Sequence, residues 1–319
     1  MKTILCLHSL PEDQRELIRR EASDCRIIFS PDEPAEERDY REAEIVFGWD
    51  RRAKEFLLQG DAKLRWMQSG SSGIDSYPLK QLEDRGVILT DASGVHARSV
   101  SETVLAMMLG LSRGIAAAME NKPDGRWESP ATMAEMNGST AAVVGAGQIG
   151  RETARLARAF DMKVIGIRRS GGESPEFDET HDLSRLEEAL RQADYVVNIL
   201  PLTDETRHLF DAERFAQMKK GAYFINVGRG ASVRTEDLVR ALESGHLAGA
   251  GLDVFEQEPL PADHPLWRLP NVILTPHNAG GMTERNRERL TQLFVSNLKL
   301  YLAGQADALR NLVDYRQQY

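Results

Sequence analysis

The sequence predicts an α/β chain of two domains, the second built on a doubly wound parallel sheet. Three observations carry this. Short apolar runs alternate with helical stretches along most of the chain, the pattern of repeated strand–helix units. The stretch AAVVGAGQIG at 141–150 sets G-x-G-x-x-G between an apolar run and an Ala-rich periodic segment, the context in which those glycines have mechanical meaning. At 319 residues the chain exceeds one ordinary core and suits two domains of usual size.

Taken in order, apolar runs at 1–7, 26–29, 44–47, 64–68 and 87–90 read as the strands of the first domain. Residues 11–22 form a helix between the first two, with apolar positions sparse enough to leave an exposed face. Residues 30–41, rich in Pro, Asp and Glu, read as a loop or an irregular helix. After the fourth strand comes SGSSGID at 69–75, small and flexible, where a strand of an α/β sheet hands over to its ligand crevice. Such a loop either aims several backbone N–H groups at one carboxylate or is a plain Gly/Ser turn. Residues 99–113 make a long helix, apolar nearly all round and therefore buried between layers, with serines able to cap its start. The crossover into the second domain falls here. A polar excursion at 121–135, containing Pro123, Gly125 and Trp127, leads into the next strand.

Six strands are read in the second domain, at 141–144, 163–167, 195–198, 223–226, 249–252 and 272–274, with helices at 150–160, 185–191, 212–217 and 235–244. The amphipathic segment 284–302 has the first domain as its docking partner. In the glycine turn, Gly145 permits the tight bend, and Gly147, lacking a Cβ, lets a pyrophosphate approach the backbone. Gly150 lets the new helix pack on its strand, and the free N–H groups of that helix start face the phosphates. The residue that meets the adenosine ribose should follow the next strand, about 20 residues on. Here stand Arg168, Arg169 and Ser170. An acidic side chain would accept the 2′-OH of NAD, whereas forked guanidiniums and a hydroxyl suit a 2′-phosphate. NADP is thus expected as the preferred cofactor, with NAD possible.

Composition excludes several classes. Hydrophobic residues at 41% and charged residues at 28% mark a folded globular chain. A net charge of −9 argues against general affinity for nucleic acid. No apolar run reaches bilayer-spanning length, and the opening residues are too soon interrupted for a signal peptide. Cys6 and Cys25 are too few for a disulfide-built domain and show no metal-ligand spacing, so a cytoplasmic setting and no metal are expected.

Later stretches give the chain a family resemblance. FINVGRG at 224–230, GAGLDVFEQEP at 249–259 and NVILTPHNAG at 271–280 resemble the signatures of the D-isomer-specific 2-hydroxyacid dehydrogenases. PLT at 201–203 and Glu205-Thr206 stand in the same order. The resemblance, closest to the glyoxylate/hydroxypyruvate reductase branch, implies two Rossmann-like domains. A doubly wound cofactor domain, 98–282, would be inserted into a flavodoxin-like substrate domain, 1–97 with 283–319. It makes Arg229, Glu258 and His277 the catalytic set, and the chemistry of reducing a 2-oxo acid accounts for those residue types. The carbonyl oxygen, becoming an alkoxide as hydride arrives, needs a proton, which His277 can give. Glu258 can hold the far imidazole nitrogen, and Arg229 can fork onto the substrate carboxylate and carbonyl.

By the same resemblance, Gly145, Gly147, Gln148, Ile149 and Gly150 contact the pyrophosphate. Arg168, Arg169 and Ser170 contact the 2′-phosphate, while Leu200, Pro201, Thr206 and Val227 lie along adenine and ribose. Asp253 contacts the nicotinamide carboxamide. Ser72 and Gly73 offer backbone N–H groups to the substrate carboxylate, Trp49 lines the substrate site, and His96 marks a hinge. Arg51 and Arg52 either read a second anionic group on the substrate or are solvent-exposed charges. The arm 99–127 implies a homodimer. The expected activity is reduction of a small 2-oxo acid to the D-2-hydroxy acid with NADPH. The alternative is a nucleotide-sensing corepressor, which can retain the same residues; formate oxidation fits less well, since that branch carries Gln where Glu258 stands.

Overall fold

In the computed structural model, which describes residues 1–30, 32–129, 133–169 and 171–316, the chain divides into unit 1, Met1–His96 with Met282–Tyr319, and unit 2, Ala97–Gly281. Each unit is a parallel sheet with helices on both faces, because strands apolar on both sides must be shielded twice.

Unit 1 carries β1 (Thr3–Cys6), β2 (Arg26–Phe29), β3 (Ile45–Phe47), β4 (Trp66–Gln68) and β5 (Ile88–Thr90), in the order β2-β1-β3-β4-β5. Between them run α1 (Glu12–Glu21), α2 (Glu37–Glu42), α3 (Arg51–Phe56) and α4 (Leu79–Asp84). Strand alternation divides the core into two layers. Ile4 and Cys6 of β1 pack with Ile18 and Phe294, while Leu5 packs with Tyr40 and Ala53 on the other face. The C-terminal helix Glu284–Leu302 belongs to this unit. Its Phe294 stacks on Phe47 at 4.2 Å and on Trp66 at 5.4 Å.

Unit 2 begins with α5 (Ala97–Ser112) and α6 (Ile115–Asn121), then β6 (Thr140–Val144), α7 (Gln148–Arg158), β7 (Lys163–Ile167) and β8 (Glu179–His181). There follow α8 (Leu186–Gln192), β9 (Tyr195–Asn198), α9 (Ala212–Gln217), β10 (Ala222–Asn226), α10 (Thr235–Glu243), β11 (Leu247–Leu252) and β12 (Val272–Leu274); the C-terminal helix of unit 1 is α11. The sheet order is β12-β11-β10-β9-β6-β7-β8, all parallel. It has seven strands where the sequence reading gave six. The strand passed over, β8, is an edge strand reading Glu-Thr-His and only half-buried, so it carries no apolar run to announce it.

Small residues set the close layers. A Cβ on Gly251 would come within 2.8 Å of Met107 and one on Gly249 within 3.2 Å of Leu111, so β11 admits α5 against its face. The all-round apolar character of α5 follows from that burial, with Val104, Met107 and Met108 in the core. Among the described residues no single helix is long and apolar enough to cross a membrane. Residues 30–41, read as a loop or irregular helix, contain the start of α2, whose first turn is closed by a reciprocal Glu36–Asp39 capping box.

Phe294→Ala should cost unit 1 about 3–5 kcal/mol, the usual result of emptying an aromatic site in a packed core. Denaturant unfolding followed by intrinsic fluorescence checks this, and an unchanged midpoint would contradict the stacking described.

Candidate active site

In a doubly wound sheet the ligand crevice opens at the carboxyl ends of the strands, where the strand order reverses. In unit 2 the reversal lies between β6 and β9. The turn after β6 is the glycine turn. Gly145 has φ +111°, and a Cβ there would meet the Ile199 carbonyl at 2.9 Å. A Cβ on Gly150 would lie 2.3 Å from the Gly145 carbonyl oxygen, whereas one on Gly147 would meet nothing within 4 Å. Gly147 caps α7 with no side-chain acceptor, so the first N–H groups of that helix are open to an anion. The exposed Gln148 and half-buried Ile149 begin the helix. Open space before a helix start, between two glycines that tolerate no side chain, fits a pyrophosphate.

Arg168 follows β7, half-buried, and among the described residues its side chain has no partner. Arg169 beside it is exposed. Ser170, expected at the 2′-phosphate, lies outside the described residues. Leu200 and Val227 are buried at the ends of β9 and β10. Thr206 is buried too, and its hydroxyl donates to the Pro201 carbonyl at 2.7 Å while accepting the Thr203 N–H at 2.8 Å. It therefore shapes the turn that presents Pro201.

The three expected catalytic residues follow three neighbouring strands. Arg229 comes after β10, Glu258 after β11 and His277 after β12. Glu258 is anchored at both oxygens: Oε1 accepts the Phe255 N–H at 2.9 Å, and Oε2 stands 2.7 Å from Nδ1 of His277. With a carboxylate as partner, Nδ1 is the donor. The His277 side chain is 51% exposed, so Nε2 is left to face a ligand. His277 adopts φ +50°, a left-handed backbone that costs a residue with a Cβ. Its N–H donates to the Asp253 and Thr275 carbonyls at 2.9 and 3.0 Å.

Asp253, expected against the nicotinamide, organises this loop. Its buried carboxylate accepts the Thr275 hydroxyl at 2.6 Å and the Asn278 and Ala279 N–H groups at 2.9 and 3.1 Å. Sequence reasoning gave the residue but not this role. It also passed over Asn198, Asn226 and Ser232. Asn198 Nδ2 donates to Asn226 Oδ1 at 3.0 Å and to the Ser232 hydroxyl at 2.7 Å. Ser232 in turn donates to the Arg229 carbonyl at 2.6 Å. The available signal was an Asn closing two otherwise apolar strands, β9 and β10. Gly230 completes the packing, since a Cβ there would fall 1.9 Å from the Phe255 carbonyl group.

The remaining expected contacts, Trp49, Ser72 and Gly73, belong to unit 1. Trp49 pairs with Tyr77 at 5.4 Å, and the Tyr77 hydroxyl is 2.8 Å from that of Ser69. Ser72 and Gly73 are half-buried, and the Gly73 N–H donates to the Ser71 hydroxyl at 3.1 Å. His96 donates from Nε2 to the Gly70 carbonyl at 3.2 Å.

Comparison with known proteins gives a consistent picture. The family model described as the NAD binding domain of D-isomer specific 2-hydroxyacid dehydrogenase matches residues 105–279. A glyoxylate/hydroxypyruvate reductase B of Citrobacter koseri is 35% identical over 315 residues, 96% of each chain. The structure of a D-isomer specific 2-hydroxyacid dehydrogenase family protein from Aeromonas salmonicida has a TM-score of 0.82 at 37% identity, covering 98% of this chain and 99% of that one. An NADPH-dependent glyoxylate/hydroxypyruvate reductase from Sinorhizobium meliloti, solved with NADP and sulfate, has a TM-score of 0.83 at 28% identity, covering 100% of both.

The glycine geometry separates stability from binding. Gly150→Ala should destabilise unit 2 by about 1–3 kcal/mol through overpacking. Gly147→Ala should fold normally yet bind NADPH about tenfold more weakly or worse, because the methyl group takes the space of the pyrophosphate. Denaturant melts and fluorescence titration with NADPH check both; undiminished binding by Gly147→Ala would contradict the cradle.

Proposed function

The chain belongs to the D-isomer specific 2-hydroxyacid dehydrogenase family, and from that premise we propose that it reduces small 2-oxo acids of the glyoxylate and hydroxypyruvate class to D-2-hydroxy acids, using NADPH. The observation that carries this is the 2.7 Å Glu258–His277 pair at the edge where Arg229 also emerges.

The Gly145–Gly150 turn would hold the pyrophosphate of NADPH, whose nicotinamide would supply the hydride for the carbonyl carbon of the acid. Arg229 holds the carboxylate with its forked donors and polarises the carbonyl, stabilising negative charge as it develops on oxygen. His277 gives its Nε2 proton to that oxygen, so the product leaves as the alcohol and the ring regains a proton from water. Glu258 fixes the ring through Nδ1 and offsets the positive charge of the imidazolium. The Asp253 carboxylate keeps the His277 loop in place. In unit 1, Ser72 and Gly73 are the backbone N–H donors proposed for a substrate carboxylate, and Trp49 is the aromatic residue proposed for the substrate.

Support for NADPH comes from the guanidinium of Arg168, which has no partner among the described residues, and from the Sinorhizobium relative's NADP complex. NAD remains the weaker substrate. The relatives named as reductases favour catalysis over the corepressor alternative. We also propose a homodimer formed through the arm 99–127. Ile115, Met119 and Trp127 on that arm are 54%, 59% and 103% exposed, an apolar set costly to leave in water. A cytoplasmic setting accords with the free thiols of Cys6 and Cys25.

His277→Ala and Arg229→Ala should each lower kcat for glyoxylate about 10²- to 10⁴-fold while NADPH titration stays near wild type. Wild-type-like turnover by either variant would remove the proposed chemistry. Arg168→Asp should raise KM for NADPH about tenfold or more, by replacing a charge-assisted contact with repulsion. An unaltered preference between NADPH and NADH would show that the phosphate is read elsewhere.

A further inference from the structure

The cofactor contacts expected along α7 stop at Gly150, and the residue after it has an unmet need. Arg151 is half-buried. Its Nε is shut off from water without a hydrogen-bond acceptor, and among the described residues its guanidinium has no ion-pair partner. An arginine drawn partly out of water is ordinarily forked onto a carboxylate or a phosphate.

The side chain lies on the flank of α7 that faces the segment following β7. Arg158, seven residues on and so on nearly the same face, donates from Nη1 to the Pro175 carbonyl at 3.0 Å. Ala154 and Ala157 share a core cluster with Phe177. Glu176 feels the charge of Arg151 but is not paired with it. Its carboxylate accepts the Ser174 hydroxyl at 2.6 Å, the main cause that holds it below the usual carboxylate range, with the Arg151 charge a lesser one. Side chains on a helix lean toward its N-terminus, and at that end of α7 lies the glycine turn.

Arg168 is on the same side of the sheet. Along β7, Val164 packs with Ala154 and Ala157, and a Cβ on Gly166 would lie 2.7 Å from the Phe177 ring, whereas Ile165 and Ile167 belong to the opposite core. The ladder runs one residue past β7, with the Arg168 N–H on the His181 carbonyl at 3.0 Å, so the alternation turns Arg168 toward α7. Two guanidiniums without partners among the described residues thus flank the corner between the α7 start and the end of β7. In a sheet of this kind that corner receives the adenosine ribose.

We infer that Arg151 is a second reader of the 2′-phosphate of NADP, acting from the helix while Arg168 acts from the strand end. This rests on the reading of the chain as an NADPH-dependent reductase. A 2′-phosphate supplies the acceptors that both guanidiniums lack, whereas the 2′-hydroxyl of NAD leaves both charges unanswered.

The test is calorimetric titration of NADP+ and NAD+ into the full chain and its Arg151→Met and Arg151→Lys variants, with no substrate present. Arg151→Met should weaken NADP+ about 10- to 100-fold, the range for losing a hydrogen bond to a charged group, and leave NAD+ unchanged. Arg151→Lys, which keeps the charge but not the fork, should recover part of the loss. Adenosine 2′,5′-bisphosphate set against 5′-AMP should show the same split, because the two differ by the 2′-phosphate alone. An equal loss for both dinucleotides in Arg151→Met marks a structural or pyrophosphate role and overturns the inference. If the wild type binds NADP+ no more tightly than NAD+, the NADPH reading itself fails and Arg151 falls with it; an NADP+ preference that survives intact in Arg151→Met overturns Arg151 alone.

Discussion

The arrangement depends on one buried carboxylate. Asp253 follows β11 and collects the Thr275 hydroxyl and the Asn278 and Ala279 N–H groups, while its own carbonyl takes the N–H of His277. A buried acid is costly unless its oxygens are filled, and here the donors come from the loop that carries the imidazole. The same contacts hold His277 in a left-handed backbone that it would not adopt unaided. Glu258 then has a fixed ring to meet, and its own carboxylate is steadied by the Phe255 N–H. Removing Asp253 from this scheme would free the loop before it touched the chemistry.

Around that loop, each part of unit 2 follows from the sheet. β10, β11 and β12 are neighbours, so residues just past their ends fall side by side although some fifty positions separate the first from the last. Gly230 lets the Arg229 turn lie against Phe255, and the Asn198–Asn226–Ser232 network satisfies the turn's buried polar groups. The glycine turn sits at the β6/β9 reversal, and Leu200 and Val227 close the ends of the next strands. Within unit 1 the corresponding reversal lies between β1 and β3. There the sheet places His8 between Gly48 and Gly70.

Much of this was legible in the sequence, for identifiable reasons. Buried parallel strands are apolar on both faces, so they stand out as short continuous runs, and the glycine turn has a spacing that few other structures require. Arg229, Glu258 and His277 could be singled out as candidates because each sits in a distinctive motif just after such a run. What escaped notice was polar or short. β8 offers Glu-Thr-His at an edge, and α4 is a helix of six residues, too brief for a periodicity to register. Asn198, Asn226 and Ser232 look like ordinary strand ends until the fold brings them together. Arg51 and Arg52 could not be told apart from sequence, since only packing shows the Arg52 guanidinium bonded to the Ala35 carbonyl and laid over the Tyr40 and Phe56 rings.

The most direct test of the account is the structure of the chain with NADP and oxalate, an unreactive mimic of the 2-oxo acid. The account predicts His277 Nε2 and the Arg229 guanidinium each at about 3 Å from oxalate oxygens, with Nδ1 still on Glu258. Oxalate bound out of reach of Nε2, or an imidazole turned away from Glu258, would contradict it.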